Sequence, residues 1–251
     1  MKDFFAMRRE SMLVTAILLS LSSHVHGGPL IDTHGSLEIN WSTMLVRFTG
    51  QAQPLPEDGN TFKPIERRAW QDALASVGPQ LGALKDTLPG VREDAAALVR
   101  ANSQSKNTTY FSSGRVQVLL ESPMSKVFAD DAIGDAALPT VTEASATGVI
   151  LTVSKATRPV AIWTLRGEGG RELFGPAMVP RTTWERNLMG RWFRRPGRAE
   201  VSAFVGNNPI QLEVAPGKTS GEFVIQSNLP EEQENMMRQL MAKGRVVLAV
   251  R

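Results

Sequence analysis

Three stretches of this 251-residue sequence have residue types that could do chemistry. The first is LRGEGGREL, Leu165–Leu173, with three glycines in four residues between arginines. A phosphate-cradling loop needs a strand before it and a helix after it, so that helix N–H groups meet the anion. Here Arg171, Glu172, Leu173 and Phe174 alternate like a strand and stop at Gly175-Pro176, and no Lys-Ser/Thr pair follows. The glycines therefore predict a hairpin turn, where positive φ is needed.

The second stretch runs from Met178 to Arg198. It holds six arginines (Arg181, Arg186, Arg191, Arg194, Arg195 and Arg198) interleaved with Trp184, Trp192 and Phe193. Arginines pair with phosphates and aromatics stack on bases, so nucleic acid would be one reading in a cytoplasmic protein. An export leader, described below, argues against nucleic acid. Two readings stay open. In one, Arg181, Trp184, Arg186, Arg191, Trp192, Arg194 and Arg195 contact a partner subunit or anionic lipid head groups. In the other, the segment is an amphipathic turn whose tryptophans and Leu188 pack inward while the arginines face water.

The third is Asp130-Asp131, the densest carboxylate pair, within FADDAIGDAALPT, which reads as a solvated connector. No other acid pair suggests general acid–base work. The chain has no cysteine and three histidines, of which His24 and His26 fall in the leader and His34 in a segment read as flexible. Ser-His-Asp and Cys-His catalysis and His/Cys metal clusters are thereby disfavoured. No cofactor is implied.

The leader comprises residues 1–27. Lys2, Arg8 and Arg9 precede an apolar run, Ser11–Ser23, that is short for a bilayer span. Small Gly27 follows, completing the pattern of a secretory signal peptide, with an uncleaved anchor as the other reading. Without residues 1–27 the chain carries 25 basic and 23 acidic residues. It is not grossly cationic.

The remaining sequence predicts an α+β fold with mixed or antiparallel sheets and a few amphipathic helices. Residues 28–125 form one unit, 126–147 a linker, and 148–251 a second unit carrying 178–198 as an insert. Ser36–Ala52 predicts one long strand, bent between Trp41 and Met44. Ile65, Ala69, Ala73, Val77, Leu81 and Leu84 mark a helix from Pro64 to Lys85, kinked or divided at Gly78-Pro79. A shorter helix follows Leu88-Pro89-Gly90. GRVQVLLES, GVILTVSKA, PVAIWTLRG, RELFG, EVSAFVGNNPIQLEV and SGEFVIQSN read as strands. Pro230 opens a helix with Glu231, Glu232 and Glu234 at its positive end and Met236, Met237, Leu240 and Met241 on its inner face. Gly244 ends it, and RVVLAV is a central, buried strand.

Three blocks in this order resemble the FlgP-like flagellar and envelope lipoproteins: IERRAWQDALASVGPQLGAL with LPGV; TGVILTVSKATRPVAIWTLRGEGGRELFG; and GNNPIQLEV, EFVIQSN and LMAKGRVVLAV. The resemblance implies an exported, non-enzymatic α+β protein. It would build a homo-oligomeric ring or disk with other ring proteins at the flagellar basal body beneath the outer membrane. The lipidated cysteine of those relatives is absent here, which implies a periplasmic subunit held by protein contacts, with outer-membrane surface contact as an option. The alternative is a monomeric exported module that binds anionic glycolipid or polysaccharide.

Overall fold

The computed structural model describes residues 27–134, 145–154 and 156–251. The expected signal peptide, apart from Gly27, and much of the expected linker lie outside the described residues. In chain order, the first half comprises β1 (Gly28–Pro29), β2 (Ile31–His34), β3 (Leu37–Asn40), β4 (Leu45–Ala52), α1 (Lys63–Lys85), α2 (Ala95–Asn102), β5 (Gln104–Tyr110) and β6 (Val116–Pro123). The second half begins with β7 (Gly148–Val153), β8 (Thr164–Arg166), β9 (Glu172–Phe174), α3 (Arg181–Asn187) and β10 (Arg191–Arg194). It continues with α4 (Arg198–Val205), β11 (Pro209–Pro216), β12 (Glu222–Ile225), α5 (Glu231–Ala242) and β13 (Val246–Val250). The fold is α+β, as expected.

Alternation builds the first sheet, β2-β3-β4-β6-β5, antiparallel throughout. Val46, Phe48 and Gly50 of β4 and Val116, Val118 and Leu120 of β6 are buried, while residues between them face outward. On that outward side Arg47 bridges Glu38 at 2.9 Å and Glu121 at 2.8 Å, a charge ladder across three strands. The predicted apolar stripe of α1 is buried along its whole length and packs on β4 and β6. Gly50 permits the contact, because a Cβ there would lie 2.2 Å from the Ala69 carbonyl oxygen.

Four expectations in this half are corrected. Ser36–Ala52 is a hairpin of β3 and β4, not a bent strand. The Asn40 side-chain oxygen accepts the Thr43 amide at 2.9 Å, and Met44 sits at a φ of +60°, so the chain reverses where a bulge was expected. His34 lies on β2, paired opposite Leu37, and not in a flexible leader. Helix α1 runs unbroken through Pro79. In the turn before it, Arg100 of α2 donates to the Leu74 carbonyl at 3.0 Å, tying the two helices together. Finally, Met124, Val127 and Phe128 are buried and Asp130 is ion-paired, so the start of the expected connector belongs to the core.

The second sheet runs β1-β10-β13-β7-β11-β12-β8-β9. Its middle strands β10, β13, β7 and β11 are parallel. β13 is interior and buried, as its apolar run predicts. On one face of these strands Phe193, Val247 and Ile150 pack with Val201, Phe204 and Val205 of α4. The alternate residues Trp192, Leu248 and Leu151 share a cluster with Met236, Met237 and Leu240 of α5. Residues 200–205, expected to begin a strand, lie in helix α4. Val201 and Val205 stand one turn apart and share the buried face.

Gly169 and Gly170, at φ of +80° and +81°, turn the chain between antiparallel β8 and β9. The Arg171 carbonyl accepts the Gly167 amide at 2.9 Å across this turn. A strand follows the glycines and no helix, which makes LRGEGGREL a hairpin and not a phosphate loop.

One apolar cluster runs through both sheets, from Leu37, Ile39 and Trp41 to Trp163, Phe174 and Trp192. Apart from β1, which joins the second sheet, the boundary at 126–147 thus separates two sheets along the chain and not two cores.

Candidate interaction surfaces

The arginine–aromatic segment separates into two populations. Trp184 and Trp192 are 1% and 0% exposed, so neither reaches a partner or a lipid. The Trp192 indole N–H donates to the Val160 carbonyl at 3.1 Å. Phe193 is buried against Phe204. The segment is built into the sheet and is not an appended insert, since β10 pairs with β13 on one side and β1 on the other. Leu188, at a φ of +49°, and Gly190 bring the chain from α3 into that strand.

The arginines diverge. Arg181 bridges Asp130 at 2.5 Å. Arg186 is exposed on α3. Arg191 is half-buried, donating to the Ser42 carbonyl at 2.9 Å and the Asn187 side-chain oxygen at 3.0 Å. Its guanidinium carbon lies 4.5 Å from the Phe204 ring centroid. Burial pushes its pKa down, and its buried Nε has no hydrogen-bond partner. Arg191 is thereby a junction between sheets. Arg194 and Arg195 alone of the predicted contacts project together, exposed, where β10 ends.

Around them stand arginines from elsewhere in the chain. Arg195, Arg198 and Arg251 line one cleft of about 720 Å³. Arg158, Arg194, Arg195 and Arg251 line a neighbouring one of about 540 Å³, together with Asp32. Arg158 and Arg251 escaped sequence reasoning because they are distant in the chain. The signal that could have found Arg251 is that parallel strands ending in FRR and VLAVR put those ends side by side; Arg158, in the loop after β7, carries no such signal.

A second surface is the β5 edge. Edge strands β1, β2 and β9 have two, four and three residues. β5 has seven, six of them exposed, and contains no proline. An edge strand of this length offers a row of backbone donors and acceptors to another chain, although Lys106 and the bulge there blunt its first part. A bulge at Lys106 divides the strand and leaves Asn107–Tyr110 regularly paired with β6. At that end Tyr110 and Phe62, 51% and 45% exposed, stack edge to face with centroids 5.0 Å apart. The Tyr110 hydroxyl donates to Glu66 at 2.7 Å, and that carboxylate raises its pKa.

Among the described residues, no three His, Cys, Asp or Glu side chains converge as metal ligands would, and no helix is long and apolar enough to cross a membrane. No family model matches the chain, and no curated protein matches it either.

Proposed function

We propose that this protein is a non-enzymatic structural subunit of a periplasmic ring or disk, of the kind found at the flagellar basal body or the outer-membrane-associated envelope. The observation that carries assembly is the β5 edge, seven residues long and capped by the exposed Phe62–Tyr110 pair. Such an edge supports extension of the sheet from one copy to the next. Closed rings follow when the contact is head-to-tail and its rotation closes. The ordered sequence blocks supply the flagellar and envelope setting, and the leader supplies export.

Light scattering on the chain lacking residues 1–27, across a concentration series, tests this. A discrete or concentration-dependent assembly is expected. The double substitution Asn107→Lys/Thr109→Lys, which charges the edge, should shift the mass toward monomer while leaving the melting temperature nearly unchanged. A strict monomer at every concentration would refute unaided self-assembly.

A further inference from the structure

We infer that the cleft beside α4 is a binding site for an acidic saccharide chain. The inference does not rest on the assembly reading. Helix α4 covers only the first part of its sheet face. Beyond Ile150 and Val247, the next residues on that face, Thr152 and Ala249, are only partly buried and Gln211 is exposed. These form the floor of the 720 Å³ cleft, which is lined by Arg195 and Arg251 at the carboxyl ends of β10 and β13 and by residues 206–209 at the amino end of β11.

The lining has a consistent chemistry. Among the described residues it contains three arginines and no acidic residue. Arg251 is ion-paired to Glu213, which stands opposite the floor residue Thr152 in the strand register, while Arg195 and Arg198 are exposed and have no ion-pair partner among the described residues. Glu200, the nearest other acid on α4, accepts the Gly197 amide at 2.7 Å and is occupied in capping the helix. Arg195 also faces the second cleft, where Arg158 and Arg194 are likewise exposed. There the only acid among the described residues, Asp32, accepts the Trp41 indole N–H at 2.8 Å. Four guanidinium groups with no carboxylate partner among the described residues therefore line two adjoining clefts. Guanidinium forks suit planar carboxylates and other oxyanions.

The remaining lining selects among anions. Thr152, Asn207, Asn208 and Gln211 supply hydroxyl and amide groups suited to sugar hydroxyls. Asn208 spends its amide donor on the Ser145 carbonyl at 2.7 Å, which leaves its side-chain oxygen to accept. Among the described residues no aromatic side chain lines either cleft, so they supply no platform for the base stacking by which single-stranded nucleic acid is held. A concave, amide-lined trough rimmed by arginines fits a sugar chain bearing carboxylates better than a flat bilayer surface.

Calorimetric titration of the chain lacking residues 1–27 with oligogalacturonate tests the inference, with maltohexaose as the neutral control and phosphatidylglycerol vesicles as the membrane control. The acidic oligomer should bind, more weakly as salt rises, and the neutral one should not. Arg195→Gln/Arg198→Gln should weaken binding at least tenfold, whereas Arg186→Gln, on exposed α3, should change it less than twofold. Thr152→Trp fills the floor without altering charge and should also weaken binding at least tenfold. Circular dichroism melts identify any variant that fails to fold, and the two independent routes keep the test decisive. No binding at millimolar oligomer, or binding that survives both Thr152→Trp and the arginine substitutions, would overturn the site. Tighter arginine-dependent binding to vesicles than to the oligomer would replace the saccharide with a membrane surface.

Discussion

The backbone amide of Trp192 donates to the backbone carbonyl of Trp41 at 3.1 Å, tying a strand of one sheet to the turn of the other. Both indoles are fully buried beside this bond. The neighbouring Ser42 hydroxyl donates to the Trp192 carbonyl at 2.5 Å and accepts the Leu30 amide at 2.9 Å. Four backbone groups are thus satisfied where the two halves meet.

Ser42→Ala should destabilise the protein by about 1–3 kcal/mol, because it strands a buried donor and a buried acceptor. Urea unfolding followed by tryptophan fluorescence checks it. A midpoint equal to wild type would show that the junction is held by packing alone.

Gly50→Ala should be costlier than its single methyl suggests. The added carbon would meet the Ala69 carbonyl oxygen at 2.2 Å and the Ala73 nitrogen at 2.3 Å, both backbone atoms of α1. Helix and sheet must separate, at a cost of about 1–3 kcal/mol or more. A melting temperature within a degree of wild type would contradict the close approach.

Leu240→Ala should cost roughly 2–4 kcal/mol, the usual range for truncating a large buried side chain. Leu240 is buried on α5 with Met236, Met237 and Met241. Denaturant titration measures the loss, and an unchanged midpoint would misassign the inner face of that helix.

Asp58 predicts an acid-sensitive contribution. The Arg68 guanidinium, bonded to both its oxygens at 2.7 and 2.5 Å, holds its pKa at about 2, and the Leu55 amide assists. The folded value lies below the ordinary 3.8, so the contribution is present above that pH and is lost as pH falls toward 2. The melting-temperature gap between wild type and Asp58→Asn should be constant above about pH 5 and close between pH 4 and 2. A gap independent of pH would mean that the charge is immaterial.

What was legible in the sequence follows from how each element declares itself. Helices α1 and α5 bury one stripe each, and β13 is apolar throughout, so period and composition identify them. Val201, Ala203 and Val205 alternate, yet Val201 and Val205 are also one helical turn apart, and the pattern alone does not choose between strand and α4. β5, QSKNTTY, carries no apolar alternation because six of its seven residues are exposed and neither of its faces enters the core. The hairpin at Trp41–Met44 hid because a non-glycine residue takes the positive φ. At the candidate sites, Arg194 and Arg195 were visible in the sequence, but their companions come from separate strand ends that only the sheet order unites. The tryptophans between the arginines looked like contact residues and are core.

The order of strands in space has a consequence for the order of events in time. β13 follows every other strand in the sequence, yet it lies between β10 and β7. Until those residues leave the ribosome, β10 and β7 have no common neighbour. The eight-stranded sheet therefore cannot be completed progressively during synthesis. Its closure is a late, long-range step, slow relative to the local hairpins and exposed to mispairing while it waits.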